Sequence, residues 1–195
     1  MGNYDILKMQ KRLRKYLDED RYHHTIGVMH TSACLAMAFG YDINVAQCAG
    51  LLHDCAKCIP NKKKLKICED QHIPLTDFEK SHPFLIHAKL GAYIARERYN
   101  VTDPEILSAI TWHTTGKPQM SLLEKIVYIA DYIEPMRFKS PDLPVIRQAA
   151  FQDLDECMYL ILKSTLSYLG DDPGNVDTNS LRAYDYYRTL HYNGA

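Results

Sequence analysis

Four histidines and two aspartates in this 195-residue sequence have the types and spacing to bind a metal ion. They are His24, the adjacent pair His53 and Asp54, His87, His113 and Asp131. Each lies in, or at the end of, a stretch with helical periodicity. Imidazole and carboxylate groups together suit iron, manganese or zinc. The pattern therefore indicates a metal centre inside a helical protein, and with it a hydrolase.

The hydrophobic periodicity is helical almost throughout, so the sequence predicts an all-α fold in a single domain, residues 1–195. The predicted helices are 4–16, 22–39, 43–53, 62–71, 85–99, 104–113, 122–133, 143–169 and 180–190. Asp42, Asp103 before Pro104, and Ser121 with Glu124 match the start signals of helices. Asn100, Gly116 and Gly170 suit helix ends, and residues 171–175 form the clearest turn cluster.

The predicted helices point most of the candidate ligands inward, because residues three, four and seven apart share a helix face. His53, His87 and His113 each share a face with apolar or small residues, and Asp131 lies at the margin of one. His24 is a weaker case. A lone histidine on such a face is usually a core residue with its own hydrogen bonds. Several imidazoles and two carboxylates would all need partners, however, and one or two metal ions supply them together.

The composition narrows the class of protein. Hydrophobic residues make up 46% of the chain and charged residues 24%, with a net charge of −1. A protein that binds nucleic acid or a membrane surface usually has a basic excess, so neither partner is expected. No apolar run is long enough to span a bilayer, and the N-terminus lacks the apolar core of a secretion signal. These features predict a cytoplasmic protein.

The six cysteines leave a second function open at this stage. Cys55 and Cys58 form a CxxC pair, which matches half a zinc ribbon or a redox motif. No second CxxC follows, and no strand precedes the pair as in thioredoxin-like folds. Cys34, Cys48 and Cys157 fall in apolar helical segments, where a free cysteine is a small buried hydrophobe. A function based on cysteine is therefore disfavoured.

The metal-ligand pattern resembles the signature of the HD-domain phosphohydrolase superfamily, His…His-Asp…Asp, here His24, His53-Asp54 and Asp131. Longer blocks are similar to the YqeK-type symmetrical bis(5′-nucleosyl)-tetraphosphatases of bacteria. These blocks are residues 22–28, 49–57, 87–92, 110–116 and 129–137. The resemblance extends from about residue 22 to about residue 190 and is specific in these blocks.

The resemblance implies an HD-domain helical bundle, with a core of about 22–135 and a helical extension of about 143–190 whose last helix closes the site. It implies symmetrical hydrolysis of diadenosine tetraphosphate (Ap4A) to two ADP by metal-activated water. Iron is the expected metal, with manganese, nickel or zinc as alternatives, and one or two ions are bound. A homodimer is also expected by analogy.

The resemblance also assigns roles to residues. His24, His53, Asp54 and Asp131 are the expected ligands of the main metal. His87 and His113 would hold a second ion with Asp54 bridging, or bind phosphate. The segment expected to close over a dinucleoside polyphosphate, or an ADP- or GDP-like nucleotide, contains Thr178, Asn179, Ser180 and Tyr184.

A polyphosphate is strongly anionic, so cations must converge on it. Arg21, Lys57 and Arg137 are the candidates, since each lies near a candidate ligand in sequence, and an arginine fork suits phosphate. The hydroxyl of Thr114 can add a hydrogen bond. Asp54, Lys57 and Asp131 are the residues expected to act in catalysis. The role of Lys57 would be to neutralise the leaving phosphate.

Other phosphohydrolase activities use the same ligands, namely hydrolysis of a nucleoside monophosphate, a dNTP or an alarmone. A mixed His/carboxylate di-iron site can also activate oxygen, as in an HD oxygenase. A third alternative is nucleotide binding without catalysis, although non-catalytic HD relatives typically lose ligands and this chain keeps all six.

Overall fold

The computed structural model describes residues 3–138, 140–170 and 173–193, and within these ranges the chain is helical and has no strand. The helices are α1 (Ile6–Leu13), α2 (Glu19–Phe39), α3 (Ile43–Leu52), α4 (Asn61–Asp70), α5 (Asp77–Ser81), α6 (His87–Tyr99), α7 (Pro104–Trp112), α8 (Leu122–Ile133), α9 (Leu143–Ala149), α10 (Leu154–Leu169) and α11 (Thr178–Asn193). The predicted all-α class is confirmed. No helix in these ranges is long and apolar enough to cross a membrane.

The predicted helix starts are confirmed by their caps. The side chains of Asp42 and Asp103 each accept a hydrogen bond from a backbone N–H in the first turn of α3 and α7. Ser121 and Glu124 form a complete capping box on α8. These contacts satisfy donors that the helix itself leaves without partners. They fix where α3, α7 and α8 begin, and hence where their ends deliver His53, His113 and Asp131.

Two predictions about helices were wrong. The helix predicted over 143–169 is two helices, α9 and α10, because Asp153 caps a new helix by accepting hydrogen bonds from the N–H groups of Asp155 and Glu156. Helix α5 was not predicted, although Thr76 and Glu79 form a capping box at its start. Of the predicted turn 171–175, residues 171 and 172 lie outside the described residues, and Pro173–Asn175 forms a short 3-10 turn.

Five helices, α2, α3, α6, α7 and α8, pack around the interior that holds the candidate ligands. Gly50 shows how closely α2 and α3 approach. A Cβ atom built at Gly50 would lie 2.6 Å from Ser32 Oγ and 3.1 Å from Met29 Cα, so a larger side chain has no room. The absence of a side chain at residue 50 therefore permits the close packing of α2 and α3. Helices α9, α10 and α11 extend the bundle from α8.

The six cysteines are free thiols. Cys48 and Cys157 are buried as predicted, whereas Cys34 is exposed because it lies on the solvent side of α2. Burial raises the pKa of Cys48 and of Cys157 to about 12, so both stay protonated at neutral pH. A protonated thiol is a poor nucleophile and a poor metal ligand.

Candidate metal centre

All six predicted ligands lie in one cluster, to which five helices contribute. His24 comes from the second turn of α2, His53 and Asp54 from the end of α3, and Asp131 from α8. His87 begins α6, and His113 follows α7. His24 Nε2 lies 3.0 Å from Asp131 Oδ1, and His87 Nε2 lies 3.1 Å from Asp54 Oδ1. Distant parts of the sequence therefore form a single site.

Asp54 occupies the middle of the cluster. Its Oδ2 atom lies 3.5 Å from His53 Nε2 and 3.9 Å from His24 Nε2. Its Oδ1 atom lies 3.1 Å from His87 Nε2 and 3.6 Å from His113 Nε2. One oxygen thus faces each pair of imidazoles. This arrangement is what a carboxylate that bridges two metal ions requires.

Two groups of three side chains have donor atoms close enough to share an ion. The groups are His24, His53 and Asp131, and His53, Asp54 and His113, with the donor atoms of each group all within 4.8 Å of one another. His53 belongs to both groups. The residues therefore suit one central ion or two neighbouring ions.

Hydrogen bonds at the far side of each ring orient three of the histidines. The Nδ1 atoms of His53, His87 and His113 each lie near a backbone carbonyl three residues earlier, at 2.7 Å (Gly50), 2.6 Å (Phe84) and 2.7 Å (Ile110). A carbonyl only accepts, so Nδ1 must carry the proton. Each Nε2 is then left with a lone pair that points into the cluster. Histidine ligands of metals usually show this arrangement.

The fourth histidine is oriented by a residue that the sequence analysis missed. Glu134 is buried, and its Oε1 atom lies 3.0 Å from His24 Nδ1. A Cβ atom at Gly27 would lie 2.5 Å from Glu134 Oε2, so only glycine leaves room for this carboxylate. The signal was present in the sequence: Glu134 is three residues after Asp131, and Gly27 is three residues after His24. Both therefore share a helix face with a ligand.

Three buried atoms in the cluster make no hydrogen bond: His24 Nε2, His53 Nε2 and Asp54 Oδ1. Leaving a buried polar atom without a partner costs about 1–3 kcal/mol, and more for a charged group. A cation among these atoms would satisfy all three together. The residues therefore fit a divalent metal ion, both in the chemistry of the donor set and in the positions of its unpaired atoms.

The protonation state of Asp54 also suits a metal ligand. Burial alone would raise the pKa of its carboxyl group, because a charge is poorly solvated in the interior. The imidazoles of His53, His113 and His87 outweigh this and hold the pKa well below its usual value. Asp54 is therefore ionised at neutral pH.

Asp131 and His87 also have the protonation states that metal binding requires. Burial opposes the charge on Asp131, but the nearby imidazoles of His24 and His53 hold its pKa well below the usual value. Burial lowers the pKa of His87 to about 4, which keeps this imidazole neutral. Ionised carboxylates and neutral imidazoles are the forms that bind metal.

The three predicted cations lie at the cluster. Arg21 Nη1 is 2.8 Å from Asp54 Oδ2, and Arg137 Nη2 is 2.7 Å from Asp131 Oδ1. Lys57 Nζ lies 3.1 Å from His87 Nε2 and 3.9 Å from Asp54 Oδ1. The arginines thus flank one side of the cluster and Lys57 the other.

Thr114 lies on the same side as Lys57. Its hydroxyl oxygen is 3.3 Å from His87 Nε2 and 3.1 Å from His113 Nε2. A hydroxyl there can donate to a phosphate oxygen that approaches the two imidazoles.

The predicted residues of the last helix lie beside the cluster and not within it. Ser180 Oγ donates to the carbonyl of Thr115 at 2.9 Å, which holds the start of α11 against the turn that follows His113. Tyr184 stacks on Tyr159 of α10, with ring centroids 6.0 Å apart. Thr178 and Asn179 belong to the first turn of α11. Closure over a nucleotide by this segment stays a prediction.

The family model of the HD domain matches residues 21–136 of this chain. That range includes all six residues of the cluster and Glu134. The match agrees with the class that the helical fold and the His/Asp site define.

Comparison with curated relatives places the chain more closely within the HD domain family. The chain is 40% identical over 157 residues to the symmetrical bis(5′-nucleosyl)-tetraphosphatase of Bacillus subtilis, covering 80% of this chain and 83% of that protein. It is 32% identical over 185 residues to the protein of the same name in Staphylococcus aureus, covering 94% of each. The chain therefore belongs to the HD domain family and, within it, to the family of these bacterial proteins.

A solved structure supports the same assignment. The crystal structure of a "predicted HD superfamily hydrolase involved in NAD metabolism" from Clostridium acetobutylicum superposes with a TM-score of 0.90 at 37% identity. The superposition covers 97% of this chain and 100% of the other. The likeness thus includes α9, α10 and α11 as well as the HD core.

Proposed function

We propose that this protein is a metal-dependent phosphohydrolase that cleaves Ap4A symmetrically to two ADP. The observation that carries the proposal is the convergence of four imidazole Nε2 atoms on two ionised carboxylates, with cations on both sides. The names of the relatives in Bacillus subtilis and Staphylococcus aureus supply the substrate class.

The ligands proposed for the main metal are His24, His53, Asp54 and Asp131. His87 and His113 either hold a second ion, with Asp54 between the two, or bind phosphate. A divalent metal ion bound here would supply the Lewis acidity that makes water nucleophilic at neutral pH and offsets phosphoryl charge. Iron is the proposed metal, and manganese, nickel or zinc are the alternatives that this donor set also suits.

The protein's own groups position the substrate. Symmetrical hydrolysis joins the oxygen of water to one of the two central phosphorus atoms and breaks its bond to the bridging oxygen, which leaves with the other ADP. Phosphoryl transfer of this kind depends chiefly on positioning and electrostatic stabilisation. Arg21 and Arg137 can bind the phosphates on one side. Lys57, with Thr114, can neutralise the departing phosphate on the other.

The low pKa values of Asp54 and Asp131 bear on their role. A carboxylate whose pKa is well below its usual value is a weak proton acceptor. We therefore assign both aspartates to holding the metal and orienting the water, and not to removing its proton in a separate step. Thr178, Asn179, Ser180 and Tyr184 are proposed to contact the nucleotide when α11 closes on the site.

A panel of nucleotides with product analysis tests the reaction. Protein with its metal should convert Ap4A to ADP alone, faster than it hydrolyses a nucleoside monophosphate, a dNTP or an alarmone. Release of AMP and ATP would contradict symmetrical cleavage. Turnover that requires oxygen would instead indicate an oxygenase, and nucleotide binding with no turnover of any substrate would indicate a binding module.

A cytoplasmic location and a homodimer remain parts of the proposal. Sedimentation of the purified chain tests the dimer directly. Nucleic acid is not a proposed partner, since the net charge is −1 and the exposed cations identified above lie at the phosphate site.

A further inference from the structure

A cavity of about 460 Å³ opens beside the metal centre, between the start of α2 and the segment that follows α8. His24 and Glu134 lie on its wall, so the cavity reaches the cluster itself. Arg21, Arg137, Met136 and Phe138 also line it, together with His23 and the carboxylates of Asp18 and Asp20. Small-molecule sites in proteins usually have volumes of about 300–1,000 Å³.

The lining carries charges of both signs, and its two arginines are the groups that could bind an anion beside the cluster. Arg21 and Arg137 hold their guanidinium groups against Asp54 and Asp131, next to the cluster. A diphosphate that enters the cavity would therefore meet both arginines and the metal ligands at the same place. The rest of the molecule that carries this diphosphate would have to occupy the outer part of the cavity.

The outer part contains two large apolar side chains. Met136 is 61% exposed and Phe138 is 76% exposed. A single exposed apolar residue is ordinary on a protein surface. Here two of them border a cavity whose inner end is charged. An apolar surface beyond a phosphate site is the surface that a flat nucleobase requires.

The backbone that carries these two residues is fixed by hydrogen bonds. Met136 N donates to Glu134 Oε2 at 2.7 Å. The Nη2 atom of Arg147 donates to the carbonyl oxygens of Glu134 at 3.0 Å and Arg137 at 2.7 Å. The segment is thus tied to the carboxylate that orients His24. The backbone from which the two apolar side chains project is therefore anchored beside the metal centre.

We propose that Phe138, with Met136 beside it, is the platform on which one nucleobase of the substrate stacks. The inference rests on the proposed function and adds the residues that bind the nucleoside. Stacking uses the face of the ring, so it discriminates little between adenine and guanine. The platform therefore selects a nucleoside diphosphate half over bare polyphosphate, and accepts either purine.

Binding measurements test the platform without depending on turnover. Calorimetric titrations of ADP, GDP and pyrophosphate into the full chain with its metal compare wild type with F138A, F138W and Y168A. Tyr168 is a matched control, because it is an exposed aromatic residue on α10 that is not part of the cavity lining. We expect F138A to lose about tenfold or more in affinity for ADP and GDP, the usual scale of one stacking contact.

Three further results are expected together. F138A should bind pyrophosphate within about twofold of wild type, F138W should retain affinity for ADP, and Y168A should resemble wild type throughout. Equal affinity of F138A and wild type for ADP would overturn the platform. An equal loss for ADP and pyrophosphate would also overturn it, because the defect would then lie in the phosphate site. Circular dichroism of F138A shows whether that variant is folded. The F138W variant shows whether another aromatic ring at residue 138 preserves binding.

The same experiments distinguish the inference from the proposed function. Wild-type protein that binds ADP through Phe138 but leaves Ap4A intact would contradict the reaction and keep the platform. Wild-type protein that cleaves Ap4A, with F138A indistinguishable in ADP binding, would contradict the platform and keep the reaction.

Discussion

Each histidine of the site is oriented by a hydrogen bond at Nδ1, the ring nitrogen that faces away from the cluster. In three of the four histidines a backbone carbonyl fixes the Nδ1 proton, whereas His24 uses the carboxylate of Glu134. A carboxylate makes the ring a stronger donor to a metal than a carbonyl does, because it partly offsets the charge that ligation places on the ring. His24 is therefore the histidine whose affinity for metal depends most on a neighbour.

Glu134→Gln tests this role. The amide keeps the shape of the side chain and removes its charge, so we expect metal affinity to fall about 10–100-fold while the helical fold is retained. Competition with a coloured chelator measures the affinity. Glu105→Gln is a suitable control, since Glu105 accepts a hydrogen bond from Tyr41 on the exposed surface. A Glu134 variant with the affinity of wild type would show that the carboxylate has no such role.

A ligand residue gives the complementary prediction. His53 belongs to both groups of donor atoms, so His53→Ala should remove metal binding and reduce turnover of Ap4A by more than about 10³-fold, on the scale seen when essential catalytic groups are lost. The far-ultraviolet circular dichroism should remain helical. Turnover within about tenfold of wild type would refute the ligand assignment.

At the scale of helices, the site depends on how closely α2 and α3 pack. Gly50→Ala should gain up to about 1 kcal/mol from helix propensity but lose about 1–3 kcal/mol by overpacking against Ser32 and Met29. We expect a net loss in the free energy of unfolding of about 1 kcal/mol, measured by denaturant titration.

The double variant provides the control. Ser32 Oγ is buried without a hydrogen bond and is the atom nearest to a Cβ at residue 50. Ser32→Ala should therefore recover part of the loss caused by Gly50→Ala. Additive effects of the two substitutions would show that the helices do not approach as closely as the structure has them.

Most of the helices, and the inward helix faces on which most of the cluster residues lie, were predictable because both depend on local sequence. Hydrophobic periodicity, the caps at Asp42 and Asp103, and the capping box at Ser121 are all encoded within a few residues. The break before Asp153 was missed because the apolar pattern of α9 continues into α10, and only the cap at Asp153 marks the interruption. Helix α5 was missed because five residues are too few to show a period.

The contact of Glu134 with His24 was not predicted for a different reason. The two residues are 110 positions apart, and their meeting depends on how α2 packs against α8. The cavity beside Phe138 depends on the same packing. Patterns in the sequence indicate which faces are apolar, but they do not specify which two faces meet.

For the whole molecule, the cluster lowers the stability of the folded state when no metal is bound, and a bound metal ion raises it. Imidazoles and carboxylates with unpaired buried atoms destabilise the folded state until a cation binds. A ligand that binds only the folded state stabilises it by about 2.7 kcal/mol at a hundred times its dissociation constant. Removal of metal by chelation should therefore lower the Tm by several degrees, and His53→Ala should show no such shift. Equal shifts in the two proteins would indicate that metal binds elsewhere.

The proposed function is tested most directly by measuring whether Ap4A cleavage requires a bound metal ion. The chain is purified without oxygen or chelator, analysed for its elements, stripped of metal, and then reloaded with ferrous iron, manganese, nickel or zinc. We expect one or two ions per chain, loss of Ap4A cleavage on stripping, and recovery on reloading with at least one of these metals. Protein shown by elemental analysis to be free of metal, yet cleaving Ap4A at the full rate, would contradict it.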